Sequence, residues 1–174
     1  LDEAKVNEDG KPVDEDGNVL DNVADAPRVY GNEYKLIPGR TYVKDPTVTV
    51  AEGSVDSLVM VLMYMPNSVK EVVEWGDDAS TDSKTIVKQY MDNNWRSLST
   101  IQKDEDGYYY WFAYDEADSA APVGVPLPFF ETITIKQSAT PEQLANVDLN
   151  GIKFKGLKNA SSEIEVKTEE EISE

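Results

Sequence analysis

Polar and apolar residues alternate through Asp45-Pro46-Thr47-Val48-Thr49-Val50, and a run without a polar break follows from Leu58 to Met65. Period two is the spacing of a strand with one buried face, whereas a continuous apolar run is that of a strand buried on both. The second strand spans Ser57 to Met65 and is stopped by Pro66. It carries Leu58, Met60, Leu62 and Tyr64 on one side and Val59, Val61, Met63 and Met65 on the other. We expect it to be central, covered on both faces, with Met63 and Met65 largely buried. A 3.6-residue stripe follows in Ile86, Val87, Tyr90, Met91, Trp95 and Leu98, which predicts a helix over 84–98. Asp82 or Ser83 would cap it, and Trp95 would anchor it to an outer face of a sheet.

Further strands are predicted at Arg28–Leu36 (interrupted by Gly31), in the aromatic run Tyr108–Tyr114, and at Phe129–Lys136, Val147–Leu157 and Glu163–Lys167. Ser68 and Glu71 have capping-box spacing for a short helix at Val69–Trp75, where a strand is the other reading. Thr140-Pro141-Glu142-Gln143 opens another short helix, with proline at its first position. Six to nine strands with one longer helix and one or two short ones, and no βα alternation, define a mainly β chain. Its expected architecture is an antiparallel two-sheet sandwich.

Charge then divides the chain. Residues 1–27 hold nine acidic and two basic side chains, and residues 161–174 hold six and one. The organisation expected is an acidic N-terminal strand and turn-rich insertion at 1–27, a β-sandwich domain at 28–168 and an acidic tail at 169–174. Glu8-Asp9-Gly10, Asp14-Glu15-Asp16-Gly17-Asn18 and Asp104-Glu105-Asp106-Gly107 are Asp-Gly turn signals. Asp14, Asp16 and Asn18 begin like a calcium loop, but Val19 stands where that loop needs glycine and no helix pattern flanks it. We expect hairpin turns with carboxylates facing solvent, calcium binding no tighter than about millimolar, and no cofactor or metal site.

The 174 residues include no cysteine and no histidine. Disulfides, thiolate metal sites and every Ser-His or Cys-His dyad are thereby excluded. With 34 acidic and 16 basic side chains the formal charge is −18, which repels nucleic acid and anionic membranes. The longest apolar run is far short of the ~20 residues a membrane helix needs. The chain begins at Leu1 without a leader, which reads as a processed or trimmed product. Carboxylate pairs carry no signal in so acidic a chain, and no nucleophile motif accompanies Ser54 or Ser57. We expect no enzyme and name no catalytic residue.

Several segments in order resemble the SipW-dependent, TasA/camelysin-like secreted proteins of Gram-positive bacteria. Leu36, Pro38, Gly39, Lys44 and Val48 match the first motif of that family, and Gly53, Ser54, Val59 and Val61 match the second. Pro126-Leu127-Pro128-Phe129-Phe130 through Ile135 resembles a later strand, so the likeness spans residues 28–137 with gaps. The resemblance implies an extracellular or cell-surface protein on a jelly-roll-like sandwich, a biofilm-matrix fibre subunit joined by N-terminal strand donation. It implies self or related matrix proteins as partners, with Leu1, Ala4 and Val6 as the assembly segment beside an open or poorly covered groove. Residues 7–27 depart from the family pattern as an acidic insertion. The zinc-peptidase branch of the family does not apply, because no His-Glu-x-x-His is present. The alternative is a monomeric adhesin or glycan-binding module. For the aromatic run the two readings are ring stacking on a sugar and core-plus-edge packing, and packing is the expected one: of the faces Tyr108/Tyr110/Phe112/Tyr114 and Tyr109/Trp111 one must be core, so at most one is free for a sugar. Trp75, before Gly76, reads either as a loop plug or as an exposed contact.

Overall fold

The computed structural model describes residues 1–50, 58–103, 105–114, 124–160 and 163–166. Among these the strands are β1 (Glu3–Ala4), β2 (Arg28–Val29), β3 (Thr41–Val43), β4 (Thr47–Thr49), β5 (Leu58–Pro66), β6 (Trp95–Lys103), β7 (Gly107–Tyr114), β8 (Pro126–Pro128), β9 (Thr132–Thr134), β10 (Lys153–Ala160) and β11 (Glu163–Val166). Three short helices accompany them: α1 (Asn67–Lys70), α2 (Ile86–Asp92) and α3 (Pro141–Ala145). The fold is mainly β, and every strand pairing is antiparallel. The acidic tail expected at 169–174, the turn at Glu52-Gly53 and the serines Ser54 and Ser57 lie outside the described residues.

One sheet has five strands in the order β11-β10-β5-β7-β6, with β5 in the middle as its apolar run predicted. Val59, Val61, Met63 and Met65 are buried, the two methionines completely. Met60, Leu62 and Tyr64 are only half-buried, which corrects the expectation of cover on both faces. These outward side chains lie beside cross-strand neighbours, Leu62 between Trp111 and Lys155 and Tyr64 between Tyr109 and Lys153. Long neighbours of that kind shelter apolar area without a second layer.

The remaining strands hold a second arrangement. Thr41 faces Thr134, Val43 faces Thr132, Thr47 faces Pro128 and Thr49 faces Pro126, so β3-β4 and β9-β8 share one register. Between the two ladders the Lys44 N–H donates to the Glu131 carbonyl (3.0 Å) and the Phe129 N–H to the Pro46 carbonyl (2.8 Å). The 46/129 pair is thus a bonded one. By strand alternation Pro126 and Pro128 fall at non-bonded positions, where their missing N–H groups cost the ladder nothing. Val73 extends this ribbon beside Ile135, and Asp2 extends it on the other edge beside Thr47. Ribbon and sheet meet in one hydrophobic cluster: Phe129 packs against Phe112 (4.6 Å) and Phe154 (5.8 Å).

The helix differs from its prediction. Thr85, not Asp82 or Ser83, caps α2 by accepting from the Lys88 N–H, and the helix stops at Asp92. Asn94 then takes a left-handed backbone angle (φ 67°), the conformation asparagine tolerates best among residues with a Cβ, and the chain enters β6. Trp95 is therefore a buried strand residue, packed on Phe129 and Tyr114. Tyr90 lies against Phe112 and Phe129, so α2 packs on the inner face of the sheet rather than the outer one. Gln89 fixes it there: its Oε1 accepts from the Glu131 and Thr132 N–H groups, and its Nε2 donates to the Thr132 carbonyl, each at 2.9 Å. Ser68 and Glu71 form no capping box on α1, which has Pro66 at its N-cap. The Thr140–Gln143 box of α3 forms as its sequence requires. Strand Arg28–Leu36 is reduced to β2, and with β6 added the described strands exceed the expected number.

Candidate functional site: the dock of the N-terminal strand

The first six residues form no free end. Asp2 and Thr47 exchange backbone hydrogen bonds, the Lys5 N–H donates to the Pro27 carbonyl (2.8 Å), and the Val13 N–H donates to the Lys5 carbonyl (3.1 Å). Side chains complete what the short ladder leaves. The Ala4 N–H donates to Asp45 Oδ1 at 2.7 Å and the Val6 N–H to Asn32 Oδ1 at 2.9 Å. Asn32 returns two bonds through Nδ2, to the Ala4 carbonyl at 3.0 Å and to Glu3 Oε1 at 2.9 Å. Ala4 and Val6 are 1% and 7% exposed, and Leu1 is half-buried against the hydrophobic cluster.

Charge is buried with the strand. Lys44 Nζ lies 2.9 Å from Glu3 Oε2, with side chains 5% and 7% exposed. Such a pair holds only because each charge has a partner at bonding distance. The Tyr34 hydroxyl, pushed far up by burial and then by the Glu3 charge, stays protonated and donates to the Val43 carbonyl. On the rim, Arg28 bonds Asp2 and Asp45, each at 2.9 Å. Burial works against the Arg28 charge, but these two carboxylates outweigh it and keep the guanidinium protonated. Beside this rim opens a groove of about 490 Å³, walled by Asp2, Arg28, Asp45, Thr47, Thr49 and Pro126.

Leu1, Ala4 and Val6 are thus placed together in one bonded segment. Sequence reasoning missed the residues that receive it. Glu3, Asn32 and Asp45 read as ordinary surface polar groups, and Lys44 stood out only as a motif position. The one available signal was the crowding of Lys44, Asp45 and Pro46 inside an alternating strand.

Chemistry elsewhere is sparse. Asp14 turns its carboxylate into its own hairpin: Oδ1 accepts from the Asp16 and Asn18 N–H groups at 2.9 and 2.8 Å. Those bonds to Asn18, first of all, hold the Asp14 carboxyl below the ordinary carboxylate range. The turn is a hairpin with Val13 beside Val19, and the Asp14 carboxylate stays at the surface as expected while it bonds its own turn. Among the described residues no three acidic side chains converge to hold a cation. Trp75 is half-buried against Tyr110 (5.1 Å), and Lys70 Nζ sits over the rings of Trp75, Tyr108 and Tyr110 at 5.2, 4.2 and 5.2 Å. In the aromatic run Tyr110 and Phe112 are buried, while Tyr109 and Trp111 face outward and half-buried. Comparisons with protein-family models, with curated proteins and with solved structures find no match.

Proposed function

We propose that this chain is a secreted, non-catalytic structural subunit of an extracellular matrix, built on a jelly-roll-like two-sheet sandwich. Copies of it, or related matrix proteins, are joined by donation of the N-terminal strand. The carrying observation is the dock: Asn32 and Asp45 supply side-chain acceptors for the strand's backbone, and Lys44 supplies a buried counter-charge for Glu3. Receptors of this kind recognise a strand by its main chain and by alternate side chains, and they do not ask which chain provides it. The same contacts form whether the strand comes from its own chain or the next one. A strand tethered in its own chain competes at an effective concentration of about millimolar, so an isolated subunit stays monomeric at micromolar concentration. Net charge of −18 opposes association further and is screened by salt over about 8–10 Å.

The test is size-exclusion chromatography and negative-stain imaging of this chain and of an N-terminally extended form, each at low and high salt. Polymers from the extended form, more abundant at high salt, are the expected result. Two forms that remain monomeric at every salt concentration would leave a monomeric adhesin as the better reading.

A further inference from the structure

The outer face of the five-stranded sheet has a composition that strand donation does not use. Its outward positions on β5 and β7 are Met60, Leu62, Tyr64, Tyr109, Trp111 and Ala113, all half-buried. Registers place Leu62 opposite Trp111 and Tyr64 opposite Tyr109, whose rings lie 4.9 Å apart. Along the flank, Lys155 stands opposite Leu62 and Lys153 opposite Tyr64. Neither lysine forms an ion pair with a described residue, in a chain with 34 acidic side chains. Among the described outward positions of β5, β7 and β10 none is acidic. The face is therefore aromatic in the middle, cationic at one side and locally positive on a strongly negative protein.

We infer that this face binds a polysaccharide bearing widely spaced carboxylates, a chain in which uronic acids alternate with neutral sugars. A sugar ring presents C–H groups on one face and hydroxyls at its edge. An indole or phenol offers the matching apolar surface with a polar tip. Lys153 and Lys155 meet the carboxylates. Spacing of the ligand's charges decides its class: the lysines act within a screening length of about 8–10 Å, whereas a densely charged polymer also meets the repulsion of the whole −18 protein. The inference goes beyond strand donation and holds whether or not subunits assemble.

The experiment is titration calorimetry of the full chain with a hyaluronan octasaccharide, alternating glucuronate and N-acetylglucosamine, at low and physiological salt. Cellohexaose serves as the neutral probe and heparin as the dense polyanion. We expect hyaluronan to bind most tightly of the three and to weaken with salt. Trp111→Ala should weaken it by about tenfold or more, and the charge reversal Lys153→Glu with Lys155→Glu by about as much. Lys153 is exposed and Lys155 half-buried on β10, so the second variant tests the site even where the first loses its fold. Equal binding of hyaluronan and cellohexaose, unchanged binding by the lysine variant, or no binding by the native chain would overturn the inference. A native dimer dissociated by Trp111→Ala would overturn it too, by assigning the face to a second copy.

Discussion

Lys44→Met removes the ammonium from the N-terminal dock and keeps most of the stem. Glu3 is then left with its carboxylate buried and Asn32 Nδ2, 2.9 Å from Oε1, as its described donor. Removing one partner from a buried pair costs about 3–5 kcal/mol, because the other charge has lost its compensation. For a chain of this size each kcal/mol moves the thermal midpoint by about 2–4 °C, so a fall of about 6–20 °C is expected. The double variant Glu3→Gln with Lys44→Met buries no charge and should recover most of the loss, a non-additivity expected of groups in contact. Circular dichroism melts give the magnitude, and amide hydrogen exchange gives its place. The Ala4 and Val6 N–H groups, bonded to Asp45 and Asn32, should lose protection in the single variant before the core strands do. A single variant within about 0.5 kcal/mol of the native chain, with Ala4 still protected, would refute the reasoning, since that is the range of ordinary surface substitutions.

Other parts of the molecule give further expectations. Gly10 has φ 78°, and a Cβ there would stand 2.6 Å from the Tyr42 backbone, so Gly10→Ala should cost about 2–4 kcal/mol in urea unfolding; a neutral result would contradict the packing. Lys70→Met should cost about 1–2 kcal/mol by loss of its three ring contacts and Lys70→Arg clearly less, measured by thermal melts. The Glu131 carboxyl is raised, first by burial and then by the nearby Asp45 and Asp92 charges, against an opposing bond from Asn93. The folded state therefore holds this proton more tightly than the unfolded one. Stability should fall as pH rises from the ordinary carboxylate range through the raised value, and Glu131→Gln should remove that slope in pH-dependent unfolding.

The central strand was legible because the eight consecutive residues from Leu58 to Met65 leave no polar face to expose. Its register against Trp111 and Tyr109 was not, since pairing partners depend on residues far along the chain. The helix over 84–98 shows the limit most clearly. Ile86 to Met91 carries a helical stripe, and the stripe continues through Trp95 and Leu98 by chance of spacing. Two asparagines in a row end the helix, one of them left-handed, and the tryptophan is taken by a strand. Local periodicity cannot weigh that tertiary preference. The dock was the least legible part. Burial of Glu3, Asn32, Lys44 and Asp45 depends on their meeting one another across as many as 41 residues, whereas each alone reads as a surface group.

Strand donation itself is tested most directly by a crosslink between chains. Asp2 and Thr47 are an antiparallel pair joined by both backbone bonds, a geometry with Cα atoms about 5.5 Å apart and within reach of a disulfide. The chain has no cysteine of its own. Asp2→Cys and Thr47→Cys can therefore be placed on separate chains, mixed at high protein concentration and high salt, and oxidised. We expect a covalent heterodimer whose peptide map joins position 2 of one chain to position 47 of the other. A mixture that stays monomeric, while the chain carrying both cysteines closes its own disulfide in full, would contradict strand donation.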